Sequence, residues 1–171
     1  MSFSDELLAN AQHYAAGFAA RGLGGLGARP AKRTVIVTCM DARVDPYRIF
    51  GLAEGDAHVL RNAGGAVTDD VVRSIAISQR LLGTEEVVVV HHTGCGMMGI
   101  TDEGFKDQLE AETGARPSWP VEAFADLDGH VRESLARLQA SPFVANKAAV
   151  RGFVFDVGTG QLREVREVRA Q

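Results

Sequence analysis

The sequence predicts an α/β fold: a single domain with a mainly parallel central β-sheet flanked by helices. Three observations lead there. Short runs of β-branched and apolar residues recur at 34–39, 57–61 and 86–91. Two of them, Thr34-Val35-Ile36-Val37-Thr38-Cys39 and the four valines Val87 to Val90, are apolar at consecutive positions, the mark of strands buried on both faces. Segments with helical periodicity separate the runs, and the strand–helix–strand rhythm is that of a parallel sheet.

Each element has its own signal. In 4–18, Leu7, Ala11, Tyr14 and Phe18 share one helical face, and Ser4-Asp5-Glu6 suits an N-terminus by placing negative charge at the positive end of the dipole. The glycine-rich stretch 22–27 reads as a loop. After the first strand, Asp45-Pro46 forms an N-cap and first-turn pair for a short helix that Gly51 ends. The second strand closes at Ala63-Gly64-Gly65. Thr68-Asp69-Asp70 caps a helix carrying Val71, Val72, Ile75 and Leu82, with Gly83 as its stop. Further helices are expected over 101–112 and 121–139, the latter striped by Leu127, Val131, Leu135 and Leu138. Two last strands, 150–157 and 161–168, flank Gly158-Thr159-Gly160 as a hairpin.

The 171 residues fit one domain, 1–171, with no repeat or low-complexity tract. A net charge of −4 argues against a nucleic-acid partner, because no basic excess exists to displace counterions. No apolar run is long enough to span a membrane, and the first residues lack the basic and apolar regions of a secretory signal. With two cysteines in the whole chain, a cytoplasmic protein with reduced thiols is the expectation.

Those two cysteines stand where chemistry is expected. Cys39 ends the first strand, Cys95 follows the third, and His92 lies between them in sequence, giving C-x-D-x-R (Cys39, Asp41, Arg43) and H-x-x-C. In open α/β sheets, sites form beyond the carboxyl ends of strands. Neighbouring strands lie ~4.8 Å apart, so side chains from two tips can converge on one ion. Two thiolates and an imidazole suit zinc, and three ligands leave a fourth position open. Spacing alone is equally consistent with a zinc site and with two inert buried thiols. His91 and His92 are adjacent and point to opposite sides of an extended strand, so one of them faces the metal.

The segment Val35-Ile36-Val37-Thr38-Cys39-Met40-Asp41-Ala42-Arg43 resembles the first signature of the β-class carbonic anhydrases, Arg61-Asn62-Ala63-Gly64-Gly65 the loop after the second strand, and His92-Thr93-Gly94-Cys95-Gly96-Met97 the second signature. The resemblance covers about residues 5–165 and is nearest to the short bacterial, mycobacterial-like members. It implies one Zn²⁺ per subunit on Cys39, His92 and Cys95, and reversible hydration of carbon dioxide by zinc-held hydroxide. It assigns catalysis to Asp41 and Arg43: Asp41 either orients the nucleophile or becomes a fourth ligand in a closed state, and Arg43 decides between the two. Asn62, Ala63 and Gly64 are expected to line the substrate pocket, where the glycines equally serve a strand-to-helix turn, and Met97 and Met98 are either apolar wall or simple core packing. His91 is read as a packed supporting residue rather than a proton shuttle, while His13, His58 and His130 carry no motif. Gly94 departs from the family, which often has a larger or charged residue there. A carbonyl sulfide or carbon disulfide hydrolase and a non-catalytic zinc-binding regulator are the alternatives. A homodimer or dimer of dimers is implied, with helix 4–18 as an oligomerisation arm.

Overall fold

The computed structural model of the chain describes residues 2–166. Among these, Thr34–Cys39 (β1), Ala57–Asn62 (β2), Glu86–His92 (β3), Val150–Phe155 (β4) and Leu162–Val165 (β5) form one sheet in the order β2-β1-β3-β4-β5. β1 to β4 run parallel, and β5 returns antiparallel to β4. The helices are Phe3–Phe18 (α1), Pro46–Phe50 (α2), Asp69–Leu81 (α3), Asp102–Thr113 (α4) and Leu127–Ala140 (α5).

Strand alternation divides the core. Val35, Val37, Val87, Val89 and Val154 pack with Val71, Val72 and Ile75 of α3 and with Val131, Leu135 and Leu138 of α5. Full burial of a side chain such as Ile75 or Leu138 stabilises the fold by about 1.5–3 kcal/mol. Ile36, Val90 and Phe155 belong to a smaller second cluster, joined by Val44 and by Ile49 and Phe50 of α2. That second face is thinly covered. α1 buries none of its residues and leaves Phe3, Leu7 and Leu8 exposed.

From β1 the chain passes first to β2 on one side and later to β3 on the other, so the strand order reverses between β1 and β3. The carboxyl ends diverge there and leave room for a site. Cys39 is the last residue of β1 and His92 the last of β3. Register brings these tips level: Thr38 lies opposite Val90, and Cys39 opposite Asn62 on β2.

Some boundaries differ from the sequence expectation, for local reasons. α1 starts earlier because Ser2, not Ser4, is its N-cap. Ser2 and Asp5 exchange side-chain and backbone hydrogen bonds as a capping box. The helix expected over 121–139 begins only at Leu127. Both carboxylate oxygens of Asp102 accept backbone hydrogen bonds, from Val121 and Ala123, each at 2.9 Å, and Glu122 sits at φ +62°. A tether from α4 therefore holds 121–126 out of helical geometry. The hairpin forms at Asp156, whose Oδ1 accepts from the amides of Gly158 and Thr159. β5 ends at Val165, and positions 167 and 168 of its expected span lie outside the described residues.

Candidate metal centre

The strand tips bring Cys39, His92 and Cys95 together. Their ligand atoms all lie within 4.8 Å of one another, and all three residues are buried. Cys95 follows a turn at Gly94, which takes φ +63°. The sulfurs are 4.0 Å apart, twice the ~2.05 Å of a disulfide bond, so both cysteines are free thiols.

Three features make the cluster fit a zinc ion. First, His92 Nδ1 lies 3.0 Å from the Thr93 carbonyl, which can only accept, so Nδ1 carries the proton and Nε2 presents its lone pair. That buried Nε2 has no hydrogen-bond partner among the described residues. Leaving such a group unsatisfied costs about 1–3 kcal/mol, which a metal ligand bond removes. Second, burial pushes the Cys95 thiol above its ordinary pKa, with the neighbouring Cys39 adding to the effect. A cation held between the sulfurs reverses that balance, since the metal binds thiolates. Third, two sulfurs and one imidazole nitrogen form a donor set that zinc prefers, with one position left for solvent or substrate.

Asp41 borders this cluster. Its Oδ2 is 3.7 Å from His92 Nε2, and a bidentate pair with Arg43 fixes its orientation. Arg43 Nε donates to Oδ1 at 2.9 Å and Nη2 to Oδ2 at 2.7 Å, while the Arg43 amide also donates to Oδ1. These bonds hold the Asp41 carboxyl well below the usual carboxylate range. Arg43 Nη2 also donates to the Gly94 carbonyl at 2.9 Å, which ties the pair to the turn bearing Cys95. The Asp41 side chain is 18% exposed and that of Arg43 54%, so the pair lies across the mouth with the carboxylate inward.

Neighbouring residues brace the tips. Arg61 donates from Nε to the Cys39 carbonyl and from Nη2 to the Asp41 carbonyl, clamping the turn after β1. Asn62, Ala63 and Gly64 do come together at the end of β2. Asn62 Nδ2 donates to the Ala66 carbonyl, while its buried Oδ1 has no partner among the described residues. At Gly64 a Cβ would sit 3.3 Å from Met97 Cγ and 3.5 Å from Phe124, so a larger residue would crowd the cluster. Met97 packs against Cys39, Cys95 and Phe124, whereas Met98 is exposed.

His91 turns away from the metal ligands, as strand alternation requires. Burial pushes its pKa down to about 3, with His130 beside it adding to the effect, so it is neutral at physiological pH and packed among the residues behind the site. Its neighbours Phe124 and His130 are functional candidates that motif spacing missed, and Arg61, part of the quoted loop segment, gains its clamping contacts only in the fold. The usable signal for His130 was its place on the apolar stripe of α5, beside Val131, Ser134, Leu135 and Leu138.

Comparison with known proteins decides the family. The family model described as carbonic anhydrase matches residues 34–162. Beta-carbonic anhydrase 1 of Mycobacterium tuberculosis, like that of Mycobacterium bovis, is 53% identical over 165 residues, covering 96% of this chain and 99% of the relative. This chain belongs to the β-carbonic anhydrase family. The crystal structure of carbonic anhydrase from Streptococcus mutans superimposes with a TM-score of 0.88 at 42% identity, covering 97% of this chain and 99% of that one. A carbon disulfide hydrolase of Acidithiobacillus thiooxidans is 31% identical over 153 residues, covering 77% of this chain and 76% of its own. As a β-carbonic anhydrase, the chain is a zinc-dependent lyase whose metal cluster lies at the β1/β3 tips.

Proposed function

We propose that this chain catalyses the reversible hydration of carbon dioxide to bicarbonate and a proton, with Asp41 and Arg43 as its catalytic pair. The observation that carries the reading is the bidentate Asp41–Arg43 pair, aimed at the orphaned His92 Nε2 and the two free thiols. A purely structural zinc site has no use for a carboxylate held ionised at its open side.

Zinc held by Cys39, His92 and Cys95 supplies Lewis acidity, lowering the pKa of water in its open position. The protein does the rest. Asp41 Oδ2 accepts a hydrogen bond from the nucleophilic oxygen's own O–H and leaves a lone pair directed at carbon. Arg43 keeps that carboxylate from rotating inward to become a ligand, by holding both of its oxygens and the Gly94 carbonyl together. Thr93 holds His92 in the tautomer that serves the metal. Asn62, Ala63 and Gly64 line the mouth, and the small residues let a linear triatomic substrate approach the cluster.

Carbon disulfide or carbonyl sulfide hydrolysis is the competing reading, supported by relatives bearing the name carbon disulfide hydrolase at 29–32% identity, against 53% for those named beta-carbonic anhydrase. Parallel assays of both reactions on one zinc-quantified preparation separate them. Carbon dioxide hydration at kcat/KM of about 10⁶ M⁻¹s⁻¹ or more is expected, within the range of efficient enzymes. Carbon disulfide turnover exceeding it would replace this reading with the other.

The whole of 1–171 is taken as one catalytic domain working in the cytoplasm as a homodimer or dimer of dimers. Free thiols support a reducing compartment. None of the described helices is long and apolar enough to cross a membrane. The unburied α1, with Phe3, Leu7 and Leu8 exposed, supports its role as an arm laid on a second subunit.

A further inference from the structure

Behind the metal cluster lies a chain of two imidazoles. His91 Nε2 is 3.2 Å from the Gly65 carbonyl, and His91 Nδ1 is 3.3 Å from His130 Nδ1 on α5. His91 is 1% exposed and His130 6%. The Phe124 ring stacks on His130 at 4.1 Å and 11°, and Phe124 packs in turn against Cys39 and Cys95.

The protons in this chain follow from the chemistry of its ends. A carbonyl only accepts, so His91 Nε2 carries a hydrogen. The 3.3 Å contact between the two Nδ1 atoms has room for one hydrogen, and the imidazole of His91 has already placed its own on Nε2 towards Gly65. His91 Nδ1 is therefore a lone pair, and His130 Nδ1–H donates to it. What the relay holds is Gly65, at φ +67°, so close to β1 that a Cβ there would lie 2.9 Å from the Cys39 nitrogen.

We propose that His130 is a positioning residue for the metal centre: through His91 it pins the 63–65 turn against the backbone that carries the Cys39 thiol. The proposal deepens the carbonic anhydrase reading and rests on the same metal cluster. It also explains why a polar ring is kept on the apolar stripe of α5.

Two variants and one spectrum test it. His130→Phe preserves the stack on Phe124 but removes the donor, whereas His130→Asn returns an N–H close to where Nδ1 sits. In the zinc-loaded wild type, long-range ¹H–¹⁵N correlation of the His91 ring should give the Nε2–H tautomer with a hydrogen-bonded Nδ1. His130→Phe should shift that Nδ1 signal to its unbonded position and lower kcat/KM about tenfold, the usual effect of losing a supporting hydrogen bond at a metal site. His130→Asn should restore most of both. An Nδ1–H tautomer in the wild type, an unmoved His91 signal in His130→Phe, or no rescue by asparagine would overturn the proposal. If His130→Phe fails to fold, the wild-type tautomer and the asparagine variant decide the matter. Absence of carbon dioxide hydration in the wild type would sink the functional reading alone, because the His91 spectrum still decides the relay.

Discussion

Asp41→Ala should lower kcat/KM for carbon dioxide hydration about 100-fold, near 2.7 kcal/mol of transition-state stabilisation, while zinc stays bound at one per chain. The two halves of this result have different origins. The loss of rate follows from the position of Oδ2, 3.7 Å from His92 Nε2, where the proposed mechanism has it orient the nucleophile. Retention of zinc follows from the donor set, since two sulfurs and a nitrogen remain without Asp41. Arg43 is half exposed and stays solvated when its partner is removed, so no buried charge is orphaned. Activity measured together with zinc content by atomic emission checks both halves. Zinc falling in step with activity would make Asp41 a structural ligand instead.

The second large effect lies in the packing beneath the site. Gly152→Val should destabilise the chain by about 3 kcal/mol, at the upper end of the cost of overpacking a core. For a protein of this size that corresponds to a fall in Tm of roughly 6–12 °C. Gly152 sits in β4, and α5 crosses it so closely that a Cβ there would lie 2.5 Å from Val131 Cγ1 and 3.0 Å from Leu135 Cδ1. Any side chain must push α5 off the sheet, and α5 carries His130 towards His91. Gly94→Ala is the control. Its φ of +63° strains alanine by about 1–2 kcal/mol, but the new Cβ meets only Arg43 Nη1 at 3.9 Å. A thermal melt in which the two variants fall equally would contradict this account of α5 packing.

How much of this could be read from the residues depends on how local each determinant is. β1 and β3 were legible because their apolar runs are continuous, β2 as a shorter run closed by Ala63-Gly64-Gly65, and Thr68, Asp45 and Gly83 marked helix ends by chemistry confined to a few residues. Strand-tip placement made Cys39, His92 and Cys95 a plausible cluster, and the resemblance in the two signature segments selected zinc over inert thiols and His92 over His91. The order β2-β1-β3-β4-β5 was not, since it rests on which strands pair across the chain. The start of α5 at Leu127 was hidden for a similar reason: Asp102, some twenty residues upstream, takes the amides of Val121 and Ala123. Arg61 stood in the quoted loop segment without a role, and His130 carried no motif, because their contacts with Cys39, Asp41 and His91 are ones that no spacing rule encodes. The sequence marks His91 as a packed supporting residue, but its partners Gly65 and His130 emerge only from the fold.

X-ray absorption at the zinc edge of the loaded protein tests the central claim most directly. Two sulfur scatterers at ~2.3 Å and one imidazole nitrogen at ~2.0 Å, with a light atom in the fourth place, are the expected shell. A shell of nitrogen and oxygen alone, or one with a single sulfur, would contradict the assignment of Cys39, His92 and Cys95 as the ligands.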